Sequence, residues 1–342
     1  MTPFLKSLFL KSMSCIACLF AACLFGCGET TPEKSDDGMI TIAMLPKLTN
    51  IAYFDACHRG AEAAAKELGV KLIYDGPTEP SGSEQVKFIE TWIRQGVDAI
   101  CIAPNQPKAI AKSIERAKAR GIKVLTWDTD AVDSGRLVMV NQVDDEKLAH
   151  LLIDDIARQM NEEGEWAIAI ASLDAANLNN WRRHAEARAK EKYPNMKLVD
   201  TVVTEENTNI AQSKVATLLN VHPDLKGIIA FDSNSVPGAA AAIKQKGLAG
   251  KIALTGNTSP KPMVDYLREG VLESFYLWDP RELGDLTIRL AVRAVKGEPI
   301  EPGVTVGKHG KLTFSPKNDS VVILSDPIRF TKENIDQYDW GF

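Results

Sequence analysis

The sequence predicts an α/β protein made of two doubly wound parallel-sheet lobes, and three observations lead there. Short apolar runs with strand character alternate with longer stretches that carry apolar residues at helical spacing. The alternation is built twice, with no sequence identity between the two series, which argues for two lobes and against a solenoid of short repeats. A chain of 342 residues, 45% hydrophobic and 25% charged, has enough apolar material for two ordinary α/β domains and is neither disordered nor fibrous in composition.

The first series opens with the strand ITIAML at residues 40–45 and a helix over 56–68. It continues with a strand at 71–74, a helix at 83–95, the strand DAICIAP at 98–104, a helix at 108–120 and the strand KVLTWD at 123–128. Gly69, Gly96 and Gly121 stand where these helices stop, because a helix commonly ends on a left-handed residue and glycine adopts it without a steric cost. The second series runs from a helix at 146–160 through strands at 166–171, 197–203, 227–232 and 251–256. Helices at 181–192, 209–220, 236–246 and 261–270 follow those strands. Strands that alternate with helices at this pace pair in parallel, with both sheet faces covered.

The N-terminus is different in kind. Residues 1–27 carry only Lys6 and Lys11 as charges before a short apolar stretch at 15–25, the pattern of a signal peptide. The uncharged core at 12–28 falls short of the ~20 apolar residues that a spanning helix needs. Leu24-Phe25-Gly26-Cys27 resembles the lipobox of bacterial lipoproteins, although Phe25 is bulkier than that motif usually carries. The resemblance implies acylation of Cys27 and anchoring by two chains, which a single acyl chain does not secure. Residues 28–38 form a polar tether. Of six cysteines four lie in the leader, and the spacing of Cys57 and Cys101 fits neither a metal knuckle nor a CxxC redox pair. They read as small buried side chains, and the sequence offers no metal or cofactor site. A net charge of −5 with dispersed basic residues leaves no footprint for nucleic acid.

In open parallel sheets ligands bind beyond the carboxyl ends of the strands. Those exits are rich in polar groups here. The first series offers Lys47, Asn105, Asp128 and Asp130, and the second offers Asn177, Asn180, Asp232, Asn234 and Asn257. GxSxG, HExxH, P-loop and GxGxxG patterns do not occur, and the five histidines have no carboxylate-plus-nucleophile companions, so no catalytic residue is assigned. The protein reads as a binder, not an enzyme.

Six segments in one order carry a family resemblance: PKLTNIAYF at 46–54, YDGPTEPS at 74–81, LTWDTD at 125–130, VNQ at 140–142, FYLWDP at 275–280 and ENIDQYDW at 333–340. From Ile40 onward the chain resembles the type I periplasmic sugar-binding proteins, in the branch that binds rhamnose or autoinducer-2. That fold implies three chain crossings between lobes, near 140–143, 276–279 and 304–308. One lobe would comprise residues 39–141 plus 280–305, and the other 142–279 plus 306–342, with the strand SVVILSD at 320–326 completing the second. The resemblance also implies a monomeric, lipid-anchored substrate-binding lipoprotein outside the cytoplasm, which hands a small sugar to an ABC transporter permease. It implies no cofactor. A repressor of the same fold would need a helix-turn-helix head where the leader and tether stand.

A sugar presents apolar C–H faces and a ring of hydroxyls, so its receptor needs aromatic walls and groups that both accept and donate. Tyr53 and Phe54 match the family's paired aromatics, with a hydrophobic staple as the competing role. Asp128 is expected to accept from ligand hydroxyls, Asp130 to do so or to cap a turn, and Lys47 to reach the ligand or lie on the surface. Asn105 and Gln142 are further candidates. In the second lobe Asp232, Asn234 and Asn257 stand at strand exits, and Asn177, Asn180 and Trp181 stand near the start of a helix. Trp278 is a pocket wall or a hinge plug. Autoinducer receptors carry Asp-Gln where this chain has Asn177 and Leu178, and Pro and Ala where it has Phe231 and Ser233. Each unmade bond to a buried hydroxyl costs about 1–3 kcal/mol, so the expected ligand is a rhamnose-like monosaccharide. The alternatives are an autoinducer-2 receptor and a chemoreceptor-linked sugar sensor.

Overall fold

The computed structural model describes residues 38–338 and Trp340. The leader, Cys27 and the tether up to residue 37 lie outside the described residues.

The first lobe is built on β1 (Thr41–Leu45), β2 (Lys71–Tyr74), β3 (Ala99–Ile102), β4 (Lys123–Trp127) and β5 (Met139–Asn141), with α1 (Ala52–Leu68), α2 (Gly82–Gln95) and α3 (Pro107–Ala119) between them. The strands pair in parallel in the order β2-β1-β3-β4-β5. Continuous apolar runs such as AICI are buried throughout because helices cover both faces. Helix ends follow local chemistry. The Ser81 hydroxyl caps α2 by accepting from Glu84 N at 3.2 Å, and α2 ends on Gly96 in the left-handed region at φ 68°. Pro107 opens α3, where its missing N–H costs nothing.

The second lobe follows with α4 (Asp145–Gln159), β6 (Gly164–Ile170), α5 (Ala176–Lys192), β7 (Met196–Val203), α6 (Thr208–Val221), β8 (Leu225–Phe231), α7 (Ser235–Gln245), β9 (Ala253–Gly256), α8 (Val264–Arg268) and β10 (Ser274–Leu277). Its parallel order is β7-β6-β8-β9. A parallel bridge from Asn257 to Tyr276 attaches β10 beyond β9.

The chain then returns. Helix α9 (Pro280–Lys296) lies along α1 and against β3, β4 and β5. The approach requires glycine: a Cβ on Gly60 would sit 1.8 Å from the Arg281 carbonyl oxygen, and one on Gly284 1.9 Å from that of Cys57. After α9 come β11 (Thr313–Ser315), β12 (Asn318–Ile323) and β13 (Ile328–Thr331).

Here the structure corrects the expectation for residues 320–326. Strand β12 pairs in parallel with β5, Val321 to Ile323 against Met139 to Asn141, so it extends the first sheet to β11-β12-β5-β4-β3-β1-β2. Arg136 fixes this edge by donating to the Ser320 carbonyl at 3.0 Å and hydroxyl at 2.8 Å. The far edge of the second lobe is taken by β13, antiparallel to β10. The third crossing therefore lies at 324–327 and not near 304–308; the first two lie at 142–144 and 278–279. Cys57 and Cys101 are buried free thiols, and among the described residues no helix is long and apolar enough to cross a membrane.

Candidate ligand-binding cleft

A cavity of about 1070 Å³ opens at the strand exits of both lobes. Lys47, Tyr53 and Asn105 line it from the first lobe, and Asp174, Glu206, Asn234 and Ser259 from the second. Its size suits a small molecule with surrounding water. Beneath it lies a recess of about 40 Å³ walled by Tyr53, Phe54, Trp181 and Trp278, with Asp128, Asn177, Asp232 and Asn257 among its polar groups. That recess has room for only a few waters.

The first-lobe polar groups satisfy one another. Lys47 Nζ lies 3.0 Å from Asp128 Oδ2, with both residues over 95% buried. Asp128 also accepts from Tyr53 Oη at 2.9 Å and Thr129 Oγ1 at 3.2 Å, and Tyr53 Oη accepts from Trp278 Nε1 at 2.9 Å. Burial, then the charge of Asp128, pushes the Tyr53 phenol well above its usual range, which keeps it a donor. Asp128 itself sits in the left-handed region at φ 61°, a strained conformation for a non-glycine residue and one of the kind that clusters at functional sites. Lys47 Nζ also donates to Asn177 Oδ1 at 3.2 Å, a bond between the lobes. Asn105 Nδ2 donates to the Lys47 carbonyl at 2.9 Å. Gln85 locks this corner: its amide donates to the carbonyls of Pro46 and Ala103 and accepts from Asn105 N.

In the second lobe Asp232 accepts from the backbone of Asn234 at 3.0 Å and Ser235 at 2.8 Å, and from the Ser235 hydroxyl. Burial raises its carboxyl and these hydrogen bonds oppose the rise. Asn234 Nδ2 donates to the Glu206 carbonyl at 2.6 Å. Asn257 is 5% exposed, and its Oδ1 has no hydrogen-bond partner among the described residues. The aromatic walls touch edge to face: Tyr53 with Phe54 at 5.1 Å and with Trp278 at 6.1 Å. Trp181 and Trp278 lie 6.0 Å apart between ring centres.

Three expected ligand groups stand elsewhere. Asp130 lines neither cavity: Arg136 Nε and Nη2 hold its two oxygens at 2.7 and 2.6 Å, while Thr126 Oγ1 and Ala131 N also donate to it. It anchors the turn that carries Arg136 to β12. Asn180 faces Asp145, donating to Oδ2 at 3.0 Å, and accepts from Arg183. Trp181 donates to Asp145 Oδ1 at 2.9 Å, so this carboxylate, raised by burial, positions the indole wall from behind. Gln142 is fully buried at the first crossing and lines neither cavity. The strand-exit rule, applied to the TEEN run after 197–203, also points to Glu206; Gln85 and Asp145 carry no sequence signal because they act through other side chains.

Glu282, Asp285 and His309 bring ligand atoms within 4.8 Å of one another. Cations already occupy that cluster: Arg289 Nε lies 2.6 Å from Asp285 and Lys308 Nζ lies 2.8 Å from Glu282, while His309 Nε2 is hydrogen-bonded to Asp285 at 2.7 Å. It is an ion-pair knot and no metal centre is drawn from it.

Two parallel-sheet lobes around a polar, aromatic-walled cleft define a solute-binding protein with the type I periplasmic fold. The family model described as periplasmic binding protein domain matches residues 42–299, and the chain belongs to that family. Its fold is similar to LsrB from Clostridium saccharobutylicum in complex with AI-2, with a TM-score of 0.82 and 28% identity over 88% of this chain and all of that one. It is similar to a solute-binding protein from Clostridium phytofermentas with bound L-rhamnose, with a TM-score of 0.83 and 27% identity over 89% of this chain and 99% of that one. In sequence it is 25% identical to the ribose import binding protein of Bacillus subtilis over 305 residues, 86% of this chain and 96% of that one. The D-ribose/D-allose-binding protein of Pseudomonas aeruginosa is 27% identical over 248 residues, 70% of this chain and 76% of that one.

Proposed function

We propose that this protein captures a monosaccharide of rhamnose-like type for an ABC importer, without chemistry on the ligand. The observation that carries the reading is the buried Lys47–Asp128 pair set within the aromatic walls of Tyr53, Phe54, Trp181 and Trp278 at the junction of both lobes. Apolar walls fit the C–H faces of a sugar ring, and the charged pair with its amide neighbours fits the hydroxyls. Relatives named for ribose and D-allose and a solved relative holding L-rhamnose support the class. The test is thermal denaturation of the detergent-solubilised full-length chain against a monosaccharide panel that includes L-rhamnose, D-ribose and D-allose. A ligand at a hundred times its Kd adds ~2.7 kcal/mol of stability, a clear rise in melting temperature. A flat response to every sugar overturns the reading.

The second reading is AI-2 capture, favoured by the likeness to the LsrB complex and opposed by Leu178 in the recess, an apolar side chain that bonds no hydroxyl. AI-2 belongs in the same panel and would have to outcompete every sugar.

The importer reading places the protein outside the cytoplasm, held by acyl chains on Cys27. Cys27→Ala is expected to move it from the membrane to the soluble fraction. Retention of the variant in membranes washed without detergent would rule out the anchor.

A further inference from the structure

Resting on the sugar-binding reading, we propose that Glu206 is a specificity-determining ligand residue: its carboxylate accepts from a ligand hydroxyl beside Asn257, which excludes acidic sugars from the cleft. Glu206 lies in the loop from β7 to α6 and lines both the cleft and the recess. The residue as a whole is part-exposed, yet its Oε2 is sealed from solvent and has no hydrogen-bond partner among the described residues. Two other sealed polar atoms at the same place share this condition, Asn257 Oδ1 and Ser259 Oγ. The carboxylate oxygen and the amide oxygen are acceptors, so what completes them is a molecule that brings donors.

The backbone is built to hold this side chain in place. Glu205 and Glu206 are consecutive left-handed residues at φ 57° and 52°, where side chains other than glycine are strained. Asn234 Nδ2 holds the Glu206 carbonyl at 2.6 Å, and the Thr204 and Ser235 hydroxyls bond at 2.6 Å, tying the β7 exit to the β8 exit that carries Asp232. These bonds fix the backbone at Glu206, and so the position of its unpartnered acceptor on the cleft wall.

The charges around Glu206 set the ligand class. Its carboxylate feels the charges of Lys47 at the β1 exit, Asp128 at the β4 exit and Asp232 at the β8 exit, while Glu205, Asp174 and Glu79 line the same cleft. Lys47 is already paired with Asp128, so the second-lobe side stays electronegative and disfavours a ligand carboxylate. Burial first, with repulsion from Asp232 and Asp128 added and Lys47 opposing, raises the Glu206 carboxyl to about 7. An ionised carboxylate accepts more strongly than a neutral acid, so binding of a neutral sugar favours the charged form and expels a proton near neutrality.

The experiment is calorimetry on the full-length protein in detergent with L-rhamnose, D-ribose and D-glucuronate from about pH 6 to 8, in buffers of different ionisation enthalpy. Wild type is expected to bind a neutral sugar several-fold more tightly at the upper end and to release protons at neutral pH, with no binding of glucuronate. Glu206→Gln keeps the shape, and is expected to weaken binding about tenfold at the upper end, the scale of one charge-assisted bond, and to abolish the proton release. Glu206→Asp should retain the proton release, which separates the acceptor from mere packing. Sugar binding by Glu206→Gln with wild-type affinity and proton release overturns this inference alone. If no neutral sugar binds wild type, the sugar reading falls and takes this inference with it.

Discussion

Asp128 and Asp130 stand two residues apart after β4 and have opposite settings. The left-handed turn at Asp128 aims its carboxylate into the recess against Lys47 and Tyr53, while Asp130 is consumed by Arg136. Asp130→Asn is therefore expected to lower unfolding stability by about 3 kcal/mol, because it strands the buried Arg136 guanidinium, and to leave sugar affinity unchanged. Asp128→Ala should instead weaken sugar binding by about 2–5 kcal/mol. Chemical denaturation and calorimetry of the two variants decide it, and a sugar-affinity loss in Asp130→Asn would return that residue to the site. In sequence both aspartates read as strand-exit acceptors, with a turn or helix cap as the alternative for Asp130, and the structure gives Asp130 a turn role. Which one turned inward depended on φ at one residue and on an arginine six positions downstream.

Among the elements, α9 does the most to join distant sequence. It lies on α1 so closely that Gly60 and Gly284 each oppose a carbonyl oxygen of the partner helix. Gly284→Ala should destabilise by about 3 kcal/mol or more in urea unfolding, since a methyl group there meets backbone that cannot yield without separating the helices. A near-neutral result would mean the helices sit farther apart. The same helix carries Asp285. Burial alone would raise its carboxyl, but hydrogen bonds from His309 and Arg289 and the charge of Lys308 outweigh this and hold it at about 2. A depressed folded-state value contributes stability that is full above the unfolded carboxylate range and fades as pH falls through the folded one. The stability gap between wild type and Asp285→Asn is thus expected to narrow between about pH 5 and pH 2. A gap that stays constant over that window would contradict the ion-pair account of the 307–309 turn.

At the scale of the whole molecule, three crossings at 142–144, 278–279 and 324–327 connect two lobes whose strand exits face one cleft. A pocket supplied by both sides is complete only when they meet, so ligand should select a closed arrangement. Small-angle scattering is expected to show a smaller radius of gyration once sugar binding saturates. An unchanged radius at saturation would mean that the lobes do not hinge. The Lys47–Asn177 bond and the Trp278–Tyr53 bond are the contacts on which such closure would converge.

The sequence by itself determined the α/β class, the strand and helix order through β9 except for the short β5, and the polar strand exits. Apolar periodicity, helix caps and glycine stops are local, and each was satisfied within a few residues of where it was written. Lys47, Asp128, Asn177 and Asp232, which line the cleft or its recess, were legible because strand exits in a parallel sheet share one edge, whereas Tyr53 and Trp278 were read through the family resemblance. Tertiary structure alone decided the destination of β12, because a short apolar strand fits any open sheet edge, and the edge beside β5 matched its register while β13 closed the other lobe. It also decided the inward and outward aim of neighbouring polar side chains. Asp130 turned from the cleft to Arg136 and Asn180 to Asp145, partners that only the fold brings within bonding distance, while Gln142 is buried away from the cleft and Glu206 lines it.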